Sequence, residues 1–250
     1  MTTRWFIGCV AWGLGLLAMP GWAAEPAACE PVHRVHFEDL KGWRQRVLQA
    51  RDQDVLEQEL GSIGFDTKHL HCWDKGRVVS VDILPATFGE KAGADRLIRL
   101  KARNCSVKSD FVVLRARPEG HWCTAVGDVF KGGSNTCDYE PLQVRLVHLT
   151  DPRRHTLKLF SSTGSTATLE SGEKGCDLQR YFAFYDVRDN NLVHVLSLDA
   201  DADAGPMRLS GGFPRTVHTQ EEGREVVYRL RAGRTEYERV LPAVPESSPR

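Results

Sequence analysis

The residues in this chain best suited to chemistry are acids and imidazoles at short, regular spacing. The stretch DADADAGP runs from Asp199 to Pro206 and carries carboxylates at Asp199, Asp201 and Asp203. A helix–loop–helix calcium loop takes oxygens at positions 1, 3 and 5, a glycine at 6 and a bidentate Glu at 12. Counting from Asp199, the first three are met, but position 6 is Ala204, the glycine follows one late at Gly205, and position 12 is Ser210. The segment therefore reads as an exposed acidic connection between strands, with a weak Ca²⁺ site as the sharper alternative. No other cofactor is expected.

A second group is HLHC, His69 to Cys72. In a strand, His69 and His71 project to one side as a pair of imidazole ligands can, and Cys72 points away. Zn²⁺ takes three or four ligands. His33 and His36 of HRVH would complete the set only if a Cys29–Cys72 bridge folded that segment back. Otherwise these are ordinary surface or turn histidines.

A third group is cationic. Arg96, Arg99, Lys101, Arg103, Lys108, Arg115 and Arg117 fall within one stretch whose only acid between Arg96 and Arg117 is Asp110. If RLIRLKAR and DFVVLRAR pair antiparallel, several of these cations share a solvent face. Like charges across a ladder repel, so acids from a neighbouring strand or an anionic partner should offset them. Arg99, Lys101, Arg103, Arg115 and Arg117 form the candidate patch, and an acidic envelope polymer such as lipopolysaccharide is the partner it suggests. The strands lack the interleaved aromatics of nucleic-acid platforms, so no nucleic-acid partner is expected.

No catalytic role is assigned to any residue. There is no Gly-x-Ser-x-Gly elbow, no His-Glu-x-x-His and no phosphate-cradling Gly-rich turn. FSSTGSTATLESGEKG is rich in Ser, Thr and Gly but has no base beside it, and reads as a loop with a turn at Ser162-Thr163-Gly164. Hydrolases that carry their acids on scattered strands leave no such signature, so a secreted hydrolase with carboxylate or metal chemistry stays open.

The elements that must position these residues begin after an address segment. Residues 1–24 combine Arg4, an apolar run from Trp5 to Met19, a Pro20-Gly21 break and small residues at Ala23-Ala24. This is the pattern of a cleaved secretory signal, and the run is short for a membrane span. An uncleaved anchor is the alternative. The expected location is periplasmic or secreted, with no membrane span after cleavage, and removal of the segment leaves a formal charge of −1. No global field then draws the protein toward a polyanion, so any such attraction must be local.

Cysteine usage agrees with export. Setting aside Cys9 leaves Cys29, Cys72, Cys105, Cys123, Cys137 and Cys176, an even number suited to disulfides in an oxidising compartment. Their spacing cannot fix the pairing. The preferred arrangement is sequential: Cys29–Cys72, Cys105–Cys123 and Cys137–Cys176. There is no Cys-x-x-Cys to suggest redox chemistry.

Residues 25–75 read as a small helical segment. Leu40, Trp43, Val47 and Leu48, then Leu56 and Leu60, follow one helical face, with a break near Arg51 where Asp52 or Asp54 could cap a second helix. Residues 76–241 switch to period two and give about ten short strands joined by turns such as Pro118-Glu119-Gly120, Asp151-Pro152, Asp189-Asn190-Asn191 and Ala232-Gly233-Arg234. Residues 242–250 are a Pro/Ser-rich tail. The fold class is mainly β, an antiparallel sandwich or paired sheets. Two echoes stand out: FYDVRDNNLVHVL against VYRLRAGRTEYERVL, and TCDYEPLQVRLVHL against GCDLQRYFAFYDV. They mark either repeated sheet units or the generic look of hairpins. The function expected is a non-enzymatic, disulfide-stapled binding protein with a carbohydrate, lipid-headgroup, envelope-polymer or protein partner. A structural or inhibitor-like protein is a further alternative.

Overall fold

The computed structural model describes residues 34–36, 39–68, 70–106, 111–117, 120–125, 143–168, 174–200, 207–221 and 223–240. Among them are two helices, α1 (Asp39–Gln49) and α2 (Gln53–Gly61). The strands are β1 (Arg34–His36), β2 (His71–Ala86), β3 (Asp95–Ser106), β4 (Phe111–Ala116), β5 (His121–Thr124), β6 (Gln143–Val147) and β7 (Thr156–Thr168). There follow β8 (Lys174–Arg188), β9 (Asn191–Asp199), β10 (Arg208–Ser210), β11 (Thr216–Glu221), β12 (Arg224–Leu230) and β13 (Tyr237–Val240). The signal segment, the tail, Cys29, His33, His69, Cys137, Asp201 and Asp203 lie outside the described residues.

The fold is mainly β. The strands form three antiparallel sheets in the orders β1-β5-β4-β3-β2, β6-β7-β8-β9 and β10-β11-β12-β13. Each contains a run of four consecutive strands in an up-and-down meander. The helices cover the outer face of the first sheet, where Trp43, Val47, Leu56 and Leu60 pack on Val81, Ile98, Leu100, Val112 and Leu114. The opposite face packs on the second sheet through Leu97, Phe111 and Val113 against Val144, Leu157, Leu159, Ala183 and Tyr185. The far face of the second sheet, with Phe184, Val195 and Leu198, meets Val217 and Tyr237 of the third. The molecule is thus a stack: helices, then three sheets.

Sequence patterns explain the layers. The FVVL run of β4 is continuously apolar because alternate residues enter different cores, Phe111 and Val113 on one side and Val112 and Leu114 on the other. The helix break falls at Asp52, whose Oδ1 accepts from the Asp54 and Val55 N–H groups at 2.9 and 3.3 Å. Trp43 Nε1 donates to the Glu59 carbonyl at 2.6 Å and clamps the two helices together.

Three expectations are corrected. The Ser162-Thr163-Gly164 turn is instead the middle of β7, with Thr163 opposite Gln179 and Gly164 opposite Leu178. Thr163, Thr166 and Thr168 are β-branched and suit a strand, and a glycine is tolerated where its partner continues the ladder. Of the sequential disulfides, Cys29–Cys72 and Cys105–Cys123 do not form, because Cys72 bonds Cys105. These residues stand directly opposite on β2 and β3, so the hairpin itself brings them together. Cys123 is also disulfide-bonded, to a cysteine outside the described side chains. Finally, the second helix ends at Gly61 and β2 begins at His71, a few residues before the change of period read at residue 76.

The first echo falls on corresponding hairpins, β8–β9 and β12–β13, each the last of its meander. The second does not correspond: it leads into the first strand of one meander and the third strand of the same one.

Candidate functional site

A meander puts its first and third turns at one end and its middle turn at the other. Because the three sheets stack, the first and third turns gather at a single end of the molecule. There they enclose a cavity of about 420 Å³. The first sheet contributes Phe88, the second Thr150, Asp151, Arg154, His155 and Asp186–Arg188, and the third Pro214 and Leu230–Arg234.

Hydrogen bonds between sheets hold this end together. The Thr87 N–H donates to His155 Nδ1 at 2.8 Å, and the His155 N–H donates to the Thr87 carbonyl at 2.6 Å. Arg117 Nη2 donates to Asn190 Oδ1 at 2.7 Å, joining the third turns of the first two sheets. The Arg215 N–H donates to the Leu149 carbonyl at 2.9 Å, and Tyr237 Oη donates to the same carbonyl at 3.4 Å.

Electrostatics favour an anion. Arg154, Arg188, Arg231 and Arg234 line the cavity against two acids, Asp151 and Asp186. Asp186 is buried and occupied: Thr150 and Thr156 hydroxyls donate to its Oδ1 at 3.0 and 2.8 Å, and Arg188 lies 3.3 Å from Oδ2. Asp151 closes its own turn by accepting from the Arg153 N–H at 2.7 Å. Arg231 and Arg234 share one carboxylate, Glu238, at 2.9 and 3.5 Å. Among the described residues, no carboxylate pairs with Arg154. Its charge is felt on part-buried Arg115, whose pKa is lowered chiefly by burial and also by Arg117 and Arg154, against the pull of Asp95.

The His155 ring accepts at Nδ1, which requires that nitrogen to be without a proton. Burial, and then the neighbouring His148, push its pKa down. The rings of His148 and His155 stack at 4.5 Å. With Nδ1 accepting from Thr87, the proton lies on Nε2, so the imidazole offers a neutral donor. The cavity therefore presents guanidinium forks and an N–H, a set suited to phosphate, sulfate or carboxylate oxygens.

The residues singled out in the sequence lie elsewhere. β3 and β4 pair antiparallel, but Arg99 stands opposite Phe111 and Arg96 opposite Leu114, so no two cations of these strands face each other directly. Arg99 pairs with Asp82 at 2.8 Å and donates to the Val144 carbonyl at 3.0 Å. Lys101 and Arg103 are exposed further along β3. Arg115 is part-buried beside Asp95 at the other end, within ion-pair distance at 3.4 Å though not aligned as a hydrogen bond. Arg117 donates to Asn190 and, at 3.3 Å, to Cys123 Sγ. The patch thus divides into Arg99–Arg103 and Arg115–Arg117.

His36 on β1 and His71 on β2 occupy opposite edges of a five-stranded sheet. Four strand spacings separate them, roughly 19 Å, so the four histidines of the sequence reading do not converge. Among the described residues, no three His, Cys, Asp or Glu side chains come together as a ligand set. Asp199 is exposed at the end of β9, and the acidic stretch joins the second sheet to the third.

The sequence reading missed Arg154, His155, Arg188, Arg231 and Arg234. A second concavity of about 360 Å³ was missed as well: Gln143, Arg145, Lys158, Phe160 and Phe182 share one face of the second sheet. There Lys158 Nζ lies 3.9 Å from the Phe182 ring centre. No protein-family model matches the chain, and no curated protein or solved structure matches it either.

Proposed function

We propose that this is an exported, disulfide-stapled, non-enzymatic binding protein, periplasmic or secreted, whose ligand is a small multiply charged anion held at the junction of the three sheets. The observation that carries the reading is the lining of the 420 Å³ cavity, where both carboxylates are already engaged and Arg154 has no carboxylate partner among the described residues. Asp186, with two hydroxyl donors on Oδ1 and Arg188 on Oδ2, is held as an acceptor within the frame of the site. Fixed donors on a rigid frame bind charge without transforming it. Export is supported by the charged-then-apolar pattern of residues 1–24 and by the Cys72–Cys105 bond. Among the described residues, no helix is long and apolar enough to cross a membrane.

Thermal melting of the protein against a panel of mono- and polyanions tests the reading. Pyrophosphate and citrate should raise the melting temperature, and neutral sugars of similar size should leave it unchanged. Stabilisation by neutral sugars alone would reject an anion site.

A further inference from the structure

The far end of the first sheet carries a second, separate device. β2 and β3 run on past the level of β6, which β3 meets at the Arg99–Val144 hydrogen bond. On this extension Cys72 and Cys105 turn toward the helices, where they pack against the first core. Leu100 and Ala102 face the same core, so alternation sends Lys101 and Arg103 to the other face, as it sends His71 beside Cys72; the regular alternation is broken at Asn104, with φ 53°, and all three side chains are exposed. Arg77 stands directly opposite Arg103, and Lys101 opposite Ser80. Trp73 stacks on His71 at 5.8 Å between ring centres and is 49% exposed.

The extension is built to hold this display. The disulfide joins its two strands. The chain bulges between Cys72 and Arg77, with Asp74 and Lys75 at φ 47° and 60°. Asn104 Nδ2 donates to the Asp74 carbonyl at 3.1 Å and ties the bulge to β3. Gly76 is required here, because a Cβ would run into the Asn104 carbonyl and the disulfide. Among the described residues, Lys75, Arg77, Lys101 and Arg103 have no ion-pair partner, and Asp74 is the only acid beside them. Among the described residues, no acid offsets the like charges of Arg77 and Arg103 held opposite each other.

We infer that this stapled extension docks the protein on an anionic lipid surface. Trp73 enters the headgroup layer, where an indole places its apolar body and its N–H in matching surroundings. Arg77, Lys101 and Arg103, with Lys75 on the bulge, lie against the anionic headgroups, and each cation adds to the attraction. A lone exposed indole at the tip of a cationic strip suits a surface entered at one point; a polysaccharide chain would call for a row of aromatics. The cavity lies near the opposite end of β2, about 40 Å away by strand rise, so it remains open to solvent when the tip is docked.

Flotation of the full chain with vesicles tests this independently of the cavity. Vesicles of equal parts phosphatidylglycerol and phosphatidylcholine should carry the protein, and phosphatidylcholine alone should not. Raising the salt should release it. Trp73→Ala and the pair Lys101→Glu with Arg103→Glu should each lower the bound fraction at least about tenfold. The charge-reversed pair, on exposed positions, keeps the test valid should Trp73→Ala fail to fold. Failure to bind the anionic vesicles would overturn the inference, as would equal binding to both kinds. So would Trp73-dependent binding to soluble alginate without vesicle binding, which would assign the tip to a polymer. None of these outcomes bears on pyrophosphate or citrate binding in the cavity.

Discussion

Thr87 and His155 hold each other by two hydrogen bonds across the first and second sheets, the Thr87 N–H on His155 Nδ1 and the His155 N–H on the Thr87 carbonyl. The pair closes one wall of the cavity and sets the imidazole tautomer. It also makes this junction sensitive to acid, because protonated Nδ1 cannot accept a hydrogen bond.

The pH dependence follows. The folded state holds His155 below its ordinary pKa of 6.5, through burial and then His148. The unfolded chain therefore takes up the proton first as pH falls. This contribution is fully present above about pH 6.5 and is lost progressively below it. Denaturation midpoints measured between about pH 7.5 and 5.5 should fall, and His155→Asn, which keeps an acceptor without a titrating ring, should flatten the trend. Parallel slopes in both proteins would show that His155 is not the sensor.

Asp95 is the buried counterpart in the first sheet. Its Oδ2 accepts from the Phe88 and Gly89 N–H groups at 2.7 and 3.0 Å, and its Oδ1 from the Ala116 N–H at 2.9 Å. With part-buried Arg115 beside it, Asp95→Ala strands donors and a cation together. Urea denaturation should show a loss of about 3–5 kcal/mol. A loss under about 1 kcal/mol would mean that water replaces the carboxylate.

The Cys72–Cys105 bond closes a loop with a sequence separation of 33 residues. Loop-closure entropy gives it roughly 3–4 kcal/mol of stabilisation. The double replacement by Ala should lower stability by that order and increase proteolysis at 71–77, with the cavity's anion binding unchanged. Thiol mapping that returned Cys29–Cys72 instead would contradict the hairpin register.

Gly76→Ala should weaken the same tip without touching the sheet cores. The new methyl would meet the Asn104 carbonyl, Cys105 Sγ and Cys72 Cβ. A destabilisation of about 1–3 kcal/mol is expected, with a change in the fluorescence of Trp73. An unaltered melt would show that the bulge relaxes freely.

Much of the architecture was legible because its signals are local. The Leu40–Val47 stripe, the Asp52 cap and the alternating strands each follow from side chains a few residues apart. β7 was not legible as a long strand: Ser, Thr and Gly suit a loop as well as a ladder, and only pairing with β8 decides between them. The disulfide needed the β2–β3 register, which spacing alone cannot supply. The cavity was least legible. Arg154 and Arg231 belong to turns that the sequence did mark, at Asp151-Pro152 and Ala232-Gly233-Arg234. Their meeting depends on how whole sheets stack. One clue was available: in a run of meanders, every first and third turn faces the same end, so charged turns at those places can share a site.

The most direct measurement for the account is calorimetric titration of the protein with pyrophosphate, repeated with Arg154→Gln and with Arg224→Gln. Arg154 lines the cavity without an ion-pair partner among the described residues, and Arg224 begins β12 away from the cavity lining. The anion-binding account expects saturable binding that is at least about tenfold weaker in Arg154→Gln and unchanged in Arg224→Gln. No saturable binding, or equal affinity in all three proteins, would contradict it.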